Sequence, residues 1–168
     1  LIELNGETAA AKWVKGVSAN FARDPEGNDR KQAKDIVAGK GDVALMNTYY
    51  LGRMLNGKDD AEKKAALGVG VFFPNQETTG THINICGIGV VKNAPNKKAA
   101  EELIAYLTSA PVQAGLSAAN YEYPVNPEAE KAALLKEWGP FQAQTTDFSV
   151  LNKNKAKAKE LLSQGGWK

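Results

Sequence analysis

The stretch Gly41–Asn56, GDVALMNTYYLGRMLN, constrains this chain more than any other. Val43–Met46 is an apolar run of strand length, introduced by Gly39 and Gly41. With Asp42 it predicts a short buried strand over Asp42–Met46. Asn47 or Thr48 then offers an N-cap, and Tyr49 and Tyr50 open a helix that closes near Asn56 and Gly57. A strand running directly into a helix is the building unit of an α/β chain. In open α/β sheets, ligands bind at the C-terminal ends of strands, where the two tyrosines fall.

Two adjacent phenols at a helix start have a defined chemical use. A phenol has a pKa of about 10 and is neutral at neutral pH. A bound cation displaces that proton. The resulting phenolate is a hard anionic oxygen donor, matched to a hard, highly charged ion, which points to Fe3+. The positive end of the helix dipole helps to hold the anions. The competing reading is that both rings pack in a core or interface, since tyrosine is often buried with its hydroxyl bonded.

The flanking sequence predicts helices alternating with short apolar strands. Glu7–Phe21 is amphipathic, with Trp13, Val17 and Phe21 on one face and Val14 beside them. It stops before Asp24-Pro25. Asn28 or Asp29 caps a helix over about Arg30–Ala38, with Ala33, Ile36 and Val37 inward and Gly39 at its end. Asp59–Leu67 is a polar helix with its acids at the N-terminus. Val69–Phe73 and His82–Val91 read as strands, the second interrupted by Gly87 and Gly89. Lys97–Leu107 is a helix, Ser109 and Pro111 start another, and Tyr121–Pro127 is extended. Helices over Pro127–Trp138 and about Leu151–Gln164 complete the chain. The expected class is α/β with a largely parallel sheet.

Composition narrows the partners. The 168 residues carry 21 basic and 19 acidic side chains, a net charge of +2, which argues against nucleic acid or an anionic membrane surface. There is no apolar run near the roughly 18 residues a membrane-spanning helix needs. The single cysteine, Cys86, leaves no internal disulfide and is expected as a small buried hydrophobe beside Ile85 and Ile88.

Four blocks carry a resemblance: GDVALMNTYYLGRM, VGVFFPNQ, GTHINICGIGVVKNAPNKKAAEELIAYLTS and NYEYPVNP. In order and spacing they resemble the periplasmic ferric-iron-binding proteins of bacterial ABC importers, from about Asn5 to Lys168. The resemblance implies a class II periplasmic-binding-protein fold, mainly its second lobe plus the segment crossing back to the first. It implies residues 1–86 as a second-lobe core holding the tyrosine pair and 87–126 as hinge crossing and first-lobe segment. Residues 127–168 would then be helices returning to the second lobe. Apolar surface on Lys97–Asn120 would be left for another chain segment to cover.

The N-terminal LIELNGETAAAKW has neither an initiator Met nor a signal-peptide pattern. Family members are about twice as long, so the first lobe is expected outside these residues. The implied function is to sequester Fe3+ in the periplasm and deliver it to an inner-membrane permease. In this family the tyrosine pair supplies two phenolate ligands, and Tyr49 and Tyr50 match it residue by residue. The remaining ligands would come from the absent lobe.

In relatives that bind a synergistic anion beside the iron, the residue matching Asn47 contacts that anion. A second Asn lies roughly 20 residues earlier, where this chain has Asp29 beside Arg30. An Asp repels an anion, so a phosphate or carbonate is not expected here despite Asn47 and Arg30 being candidates for holding one. Arg30 could instead neutralise a phenolate, pair with Asp29, or lie solvated on its helix.

His82 is the one histidine and, without a second ligand at metal spacing, is expected to be structural. Tyr121 and Tyr123 share a face of an extended segment by alternation, and their family counterparts are structural. No Ser-His-Asp set and no Walker or dinucleotide glycine motif is present. Two alternatives stay open: a binding protein of this fold for another small anion, and an α/β enzyme using Tyr49 or Tyr50 as general acid.

Overall fold

The structure, a computed structural model, describes residues 1–167. Its helices are α1 (Ile2–Ala19), α2 (Asp29–Val37), α3 (Thr48–Leu55), α4 (Asp60–Leu67), α5 (Lys97–Leu107), α6 (Ala110–Asn120), α7 (Ala133–Glu137) and α8 (Ser149–Gln164). Each expected helix has a counterpart, and local chemistry explains most boundaries. Asn28 caps α2 by accepting from the Lys31 backbone N–H at 3.1 Å. Asp59 caps α4, accepting from Ala61 and Glu62. Gly6, at φ 79°, kinks α1, so the amphipathic part begins at Glu7 as the pattern predicts.

The helix expected over Pro127–Trp138 is shortened to α7. Asn126 Oδ1 takes the Glu128 N–H, and the Ala132 N–H donates to the Ser117 hydroxyl. Both side chains offer the backbone an alternative to the helical ladder.

The core that positions the tyrosines is built from α2, α3 and α4. Ala33, Leu51, Met54, Ala65 and Ala66 are buried together, with Met46, Val69, Val71 and Trp138 packed against them. Leu51 and Met54 are three apart on α3, so one stripe of that helix faces inward. Asp35, also buried, draws Arg23, Lys31 and Lys40 onto its carboxylate and ties α2 to the chain on either side. A second packing unit joins α1 to α8 through Ala10, Val14 and Leu161. There Trp13, expected inward, is 42% exposed and stacks on Trp167 with centroids 6.3 Å apart.

The strand expectations meet a difference. Among the described residues no β-ladder forms beyond a single parallel bridge between Thr81 and Ala143. Residues 42–46, 69–73 and 82–91 are without regular structure, and Val43 and Phe72 are 86% and 85% exposed. A strand needs a neighbour to take its N–H and C=O groups, and these segments have none within these residues. For the same reason Cys86 is exposed rather than buried. The Thr81–Ala143 crossing is held by Gln76, whose Nε2 donates to Thr81 Oγ1 at 2.9 Å and whose Oε1 accepts the Gln142 N–H at 2.6 Å.

Candidate metal centre

Tyr49 and Tyr50 stand side by side in the first turn of α3, ring centroids 4.4 Å apart and planes tilted by 37°. Both are half-buried. A hydrogen bond with Tyr50 favours protonated Tyr49, and with partial burial it pushes the Tyr49 phenol up to about 12. The negative charge of Asp29 acts in the same sense, while Arg53 acts against it. The Arg53 guanidinium lies over the Tyr49 ring, 5.1 Å from its centroid. It also donates to Asn120 Oδ1 at 3.3 Å, which joins α3 to the end of α6.

Arg53 is a residue that the sequence reading missed. Its signal is the i, i+4 spacing from Tyr49 on one helix face. Gly52 is another. It is buried because Tyr121 packs onto it, and a Cβ there would fall 2.6 Å from that of Tyr121.

Asn47 is the N-cap residue of α3, yet its side chain makes no cap bond. Instead Asp29 Oδ1 accepts from both the Asn47 backbone N–H at 2.7 Å and its Nδ2 at 3.1 Å. At the other end of the amide, Asn47 Oδ1 accepts from Asn84 Nδ2 at 3.2 Å. Asp29, Asn47 and the tyrosine pair are therefore brought together, and Asn84 joins them from the extended segment.

Arg30 is placed elsewhere. It pairs with Glu62 on α4, beside Lys34, and these two cations hold the Glu62 carboxyl below its usual range, Lys34 foremost. Neither a pairing with Asp29 nor a contact with a tyrosine is what the structure gives it.

The other two tyrosines part company. Tyr121 adopts the left-handed conformation, φ 60°, and ends α6 rather than starting an extended run. Tyr123 lies edge-on to Phe141, centroids 5.1 Å apart, and burial pushes its phenol up. They do not share a face. His82 is exposed, with Nδ1 2.9 Å from Gln144 Oε1.

Among the described residues no three His, Cys, Asp or Glu side chains gather where a metal ion could be held. The phenol pair is a different donor set: two hard oxygens on one turn, at the positive end of a helix, with a guanidinium to offset their charge. Those features fit a hard trivalent cation. Among the described residues no helix is long and apolar enough to cross a membrane.

Comparison with known proteins identifies relatives over the whole length of this chain. The chain is 44% identical over 168 residues to iron uptake protein A1 of Synechocystis, covering 100% of this chain and 47% of that protein. It is 29% identical to the major ferric iron-binding protein of Neisseria meningitidis, again over 100% of this chain and 49% of the relative. Among solved structures it superposes on the Trichodesmium protein IdiA (FutA), solved with iron and citrate, with a TM-score of 0.96 and 46% identity. That match covers 100% of this chain and 53% of the other. The apo form of FutA2 from Synechocystis gives a TM-score of 0.93 at 38% identity, over 99% and 54% of the two chains.

The chain thus spans about half the length of the curated relatives it matches. Its architecture is that of about half of a class II periplasmic-binding-protein fold. The family described as bacterial extracellular solute-binding protein matches residues 1–152, and the chain belongs to that family.

Proposed function

We propose that this chain is part of the Fe3+-binding component of a bacterial ABC importer. It sequesters ferric iron in the periplasm and hands it to an inner-membrane permease, and it is not an enzyme. Tyr49 and Tyr50 are the two ligands it contributes, as phenolates. The single observation behind this reading is the adjacent phenol pair at the start of α3, with Arg53 over one ring. The names of the relatives, which concern iron uptake and ferric iron binding, support it.

A trivalent ion takes more donors than two, and we assign the rest to the portion of the relatives that this chain does not span. In this reading Asn47 fixes the entry to α3 and Arg30 anchors α2 to α4, while segment 87–126 is the crossing unit that meets the tyrosine helix through Asn120 and Tyr121. Closure of two lobes over the ion follows if phenolates from both sides bind it, since the ion then favours the closed state. Release is favoured by proton return to the tyrosines or by reduction to Fe2+.

The test is ferric titration of Tyr49→Phe and Tyr50→Phe in the full-length protein, followed by the visible phenolate-to-iron charge-transfer band. Each change keeps the ring and deletes one oxygen, so folding is retained while Fe3+ binding weakens strongly and the band fades. Unchanged affinity and colour in both variants would remove the iron-site assignment.

A further inference from the structure

We propose that Asn5 is a site of spontaneous modification, losing its amide to become aspartate or isoaspartate, while the fold protects a second copy of the same tripeptide at the end of α3. The sequence holds Leu-Asn-Gly twice, as Leu4-Asn5-Gly6 and as Leu55-Asn56-Gly57. A glycine after asparagine leaves the next backbone nitrogen unshielded by any Cβ, so by sequence both copies are open to the same attack. The flanking charges favour the second copy: Lys58 stabilises the anionic nitrogen that attacks, whereas Glu7 opposes it.

The reaction needs only water. The Gly6 nitrogen, having lost its proton, attacks the side-chain carbonyl carbon of Asn5. An N–C bond forms, the bond from that carbon to Nδ2 breaks, and ammonia leaves with a proton. Water then opens the five-membered imide at either carbonyl, giving aspartate or isoaspartate. Nothing is oxidised or reduced.

The two surroundings differ. Asn5 is exposed, and its side-chain amide has no hydrogen-bond partner among the described residues. Gly6, at φ 79° and ψ 167°, interrupts the helical ladder of α1, and no atom lies within 4 Å of where its Cβ would stand. The ring has space to close there and little helix to undo. At Asn56 the leaving group is held, since Nδ2 donates to the Gly52 carbonyl at 3.0 Å. The attacking Gly57 N–H is turned to the Met54 carbonyl at 3.4 Å, and a Cβ on Gly57 would fall 2.8 Å from the Arg53 carbonyl oxygen. Met54, fully buried, anchors that end of α3 in the core.

The change falls on the packing of α1 against α8. Glu3 accepts from Asn154 at 3.2 Å, Glu7 pairs with Lys157 at 3.8 Å, and Asn5 lies between them in sequence. Isoaspartate adds a carboxylate and inserts a methylene into the main chain at that point. Ageing thus loosens α1 from α8 and leaves the core of α2, α3 and α4 intact.

The full-length protein is incubated at mildly alkaline pH, folded and in urea. Peptide mass mapping follows the replacement of NH2 by OH at each asparagine, and enzymatic methylation of isoaspartate counts the product. In the folded protein Asn5 should convert at least about tenfold faster than Asn56, the factor set by the bonds that Asn56 must break. In urea the two rates should converge. Asn5→Gln, whose longer side chain closes no five-membered ring, should abolish the fast phase. No conversion at Asn5, an Asn56 as fast as Asn5 in the folded protein, a difference that survives in urea, or a fast phase that persists in Asn5→Gln would each overturn the inference.

Discussion

Gly52 and Tyr121 are in contact with no room to spare: a Cβ added to Gly52 would lie 2.5 Å from the Tyr121 ring Cγ and 2.6 Å from its Cβ. Tyr121 reaches that position by taking up the left-handed conformation at the end of α6, which costs a non-glycine residue roughly 1–2 kcal/mol. The contact seats α6 on the middle of the tyrosine helix. Gly52→Ala should therefore destabilise the protein by about 1–3 kcal/mol through overpacking. Thermal unfolding checks this, and a melting point equal to that of the original protein would show that Tyr121 can move away freely.

Proton competition sets the pH dependence of iron binding. The Tyr49 phenol is pushed up to about 12 by its bond with Tyr50 and by burial, so binding the metal as phenolate displaces protons at neutral pH. Apparent affinity should rise with pH, with a slope approaching about two protons per ion in the neutral range, and fall on acidification. Proton release on adding Fe3+ in weak buffer measures this directly.

The metal-free protein carries the corresponding stability effect. Folded Tyr49 keeps its proton above the value of 10.0 that it has when exposed. Its contribution to stability is complete below that pH and is lost as pH climbs towards about 12.

Arg53 is expected to ease deprotonation of Tyr49. Arg53→Met keeps the length of the side chain but removes the cation over the ring and the bond to Asn120. Alkaline titration of tyrosinate absorbance should then show Tyr49 ionising later than in the original protein. Ferric affinity should fall by about two- to fivefold, the range expected for a cation–π contact at a partly exposed site. Arg53→Lys restores the charge but not the planar fork that spans Tyr49 and Asn120, and should lie between the two. Superimposable titration curves for Arg53→Met and the original protein would exclude this role.

What the sequence determined was local. The inward Ala33 of α2, the cap at Asn28, the acids that open α4 and the paired phenols at a helix start follow from rules that act within one or two turns. They were sufficient for the helices and for placing Tyr49 and Tyr50 in the first turn of α3. What only the tertiary structure decided was each contact made across the chain. Arg30 going to Glu62, 32 residues away, Asn47 being shared by Asp29 and Asn84, and Tyr121 turning left-handed onto Gly52 depend on how α2, α3, α4 and α6 meet.

The strand segments fail for the complementary reason. Alternation and apolar runs report that a segment is suited to a sheet, but a strand exists only when a second one supplies its hydrogen bonds. Val43 and Phe72 are exposed because burial is a property of the neighbours, and no stretch of sequence contains its own.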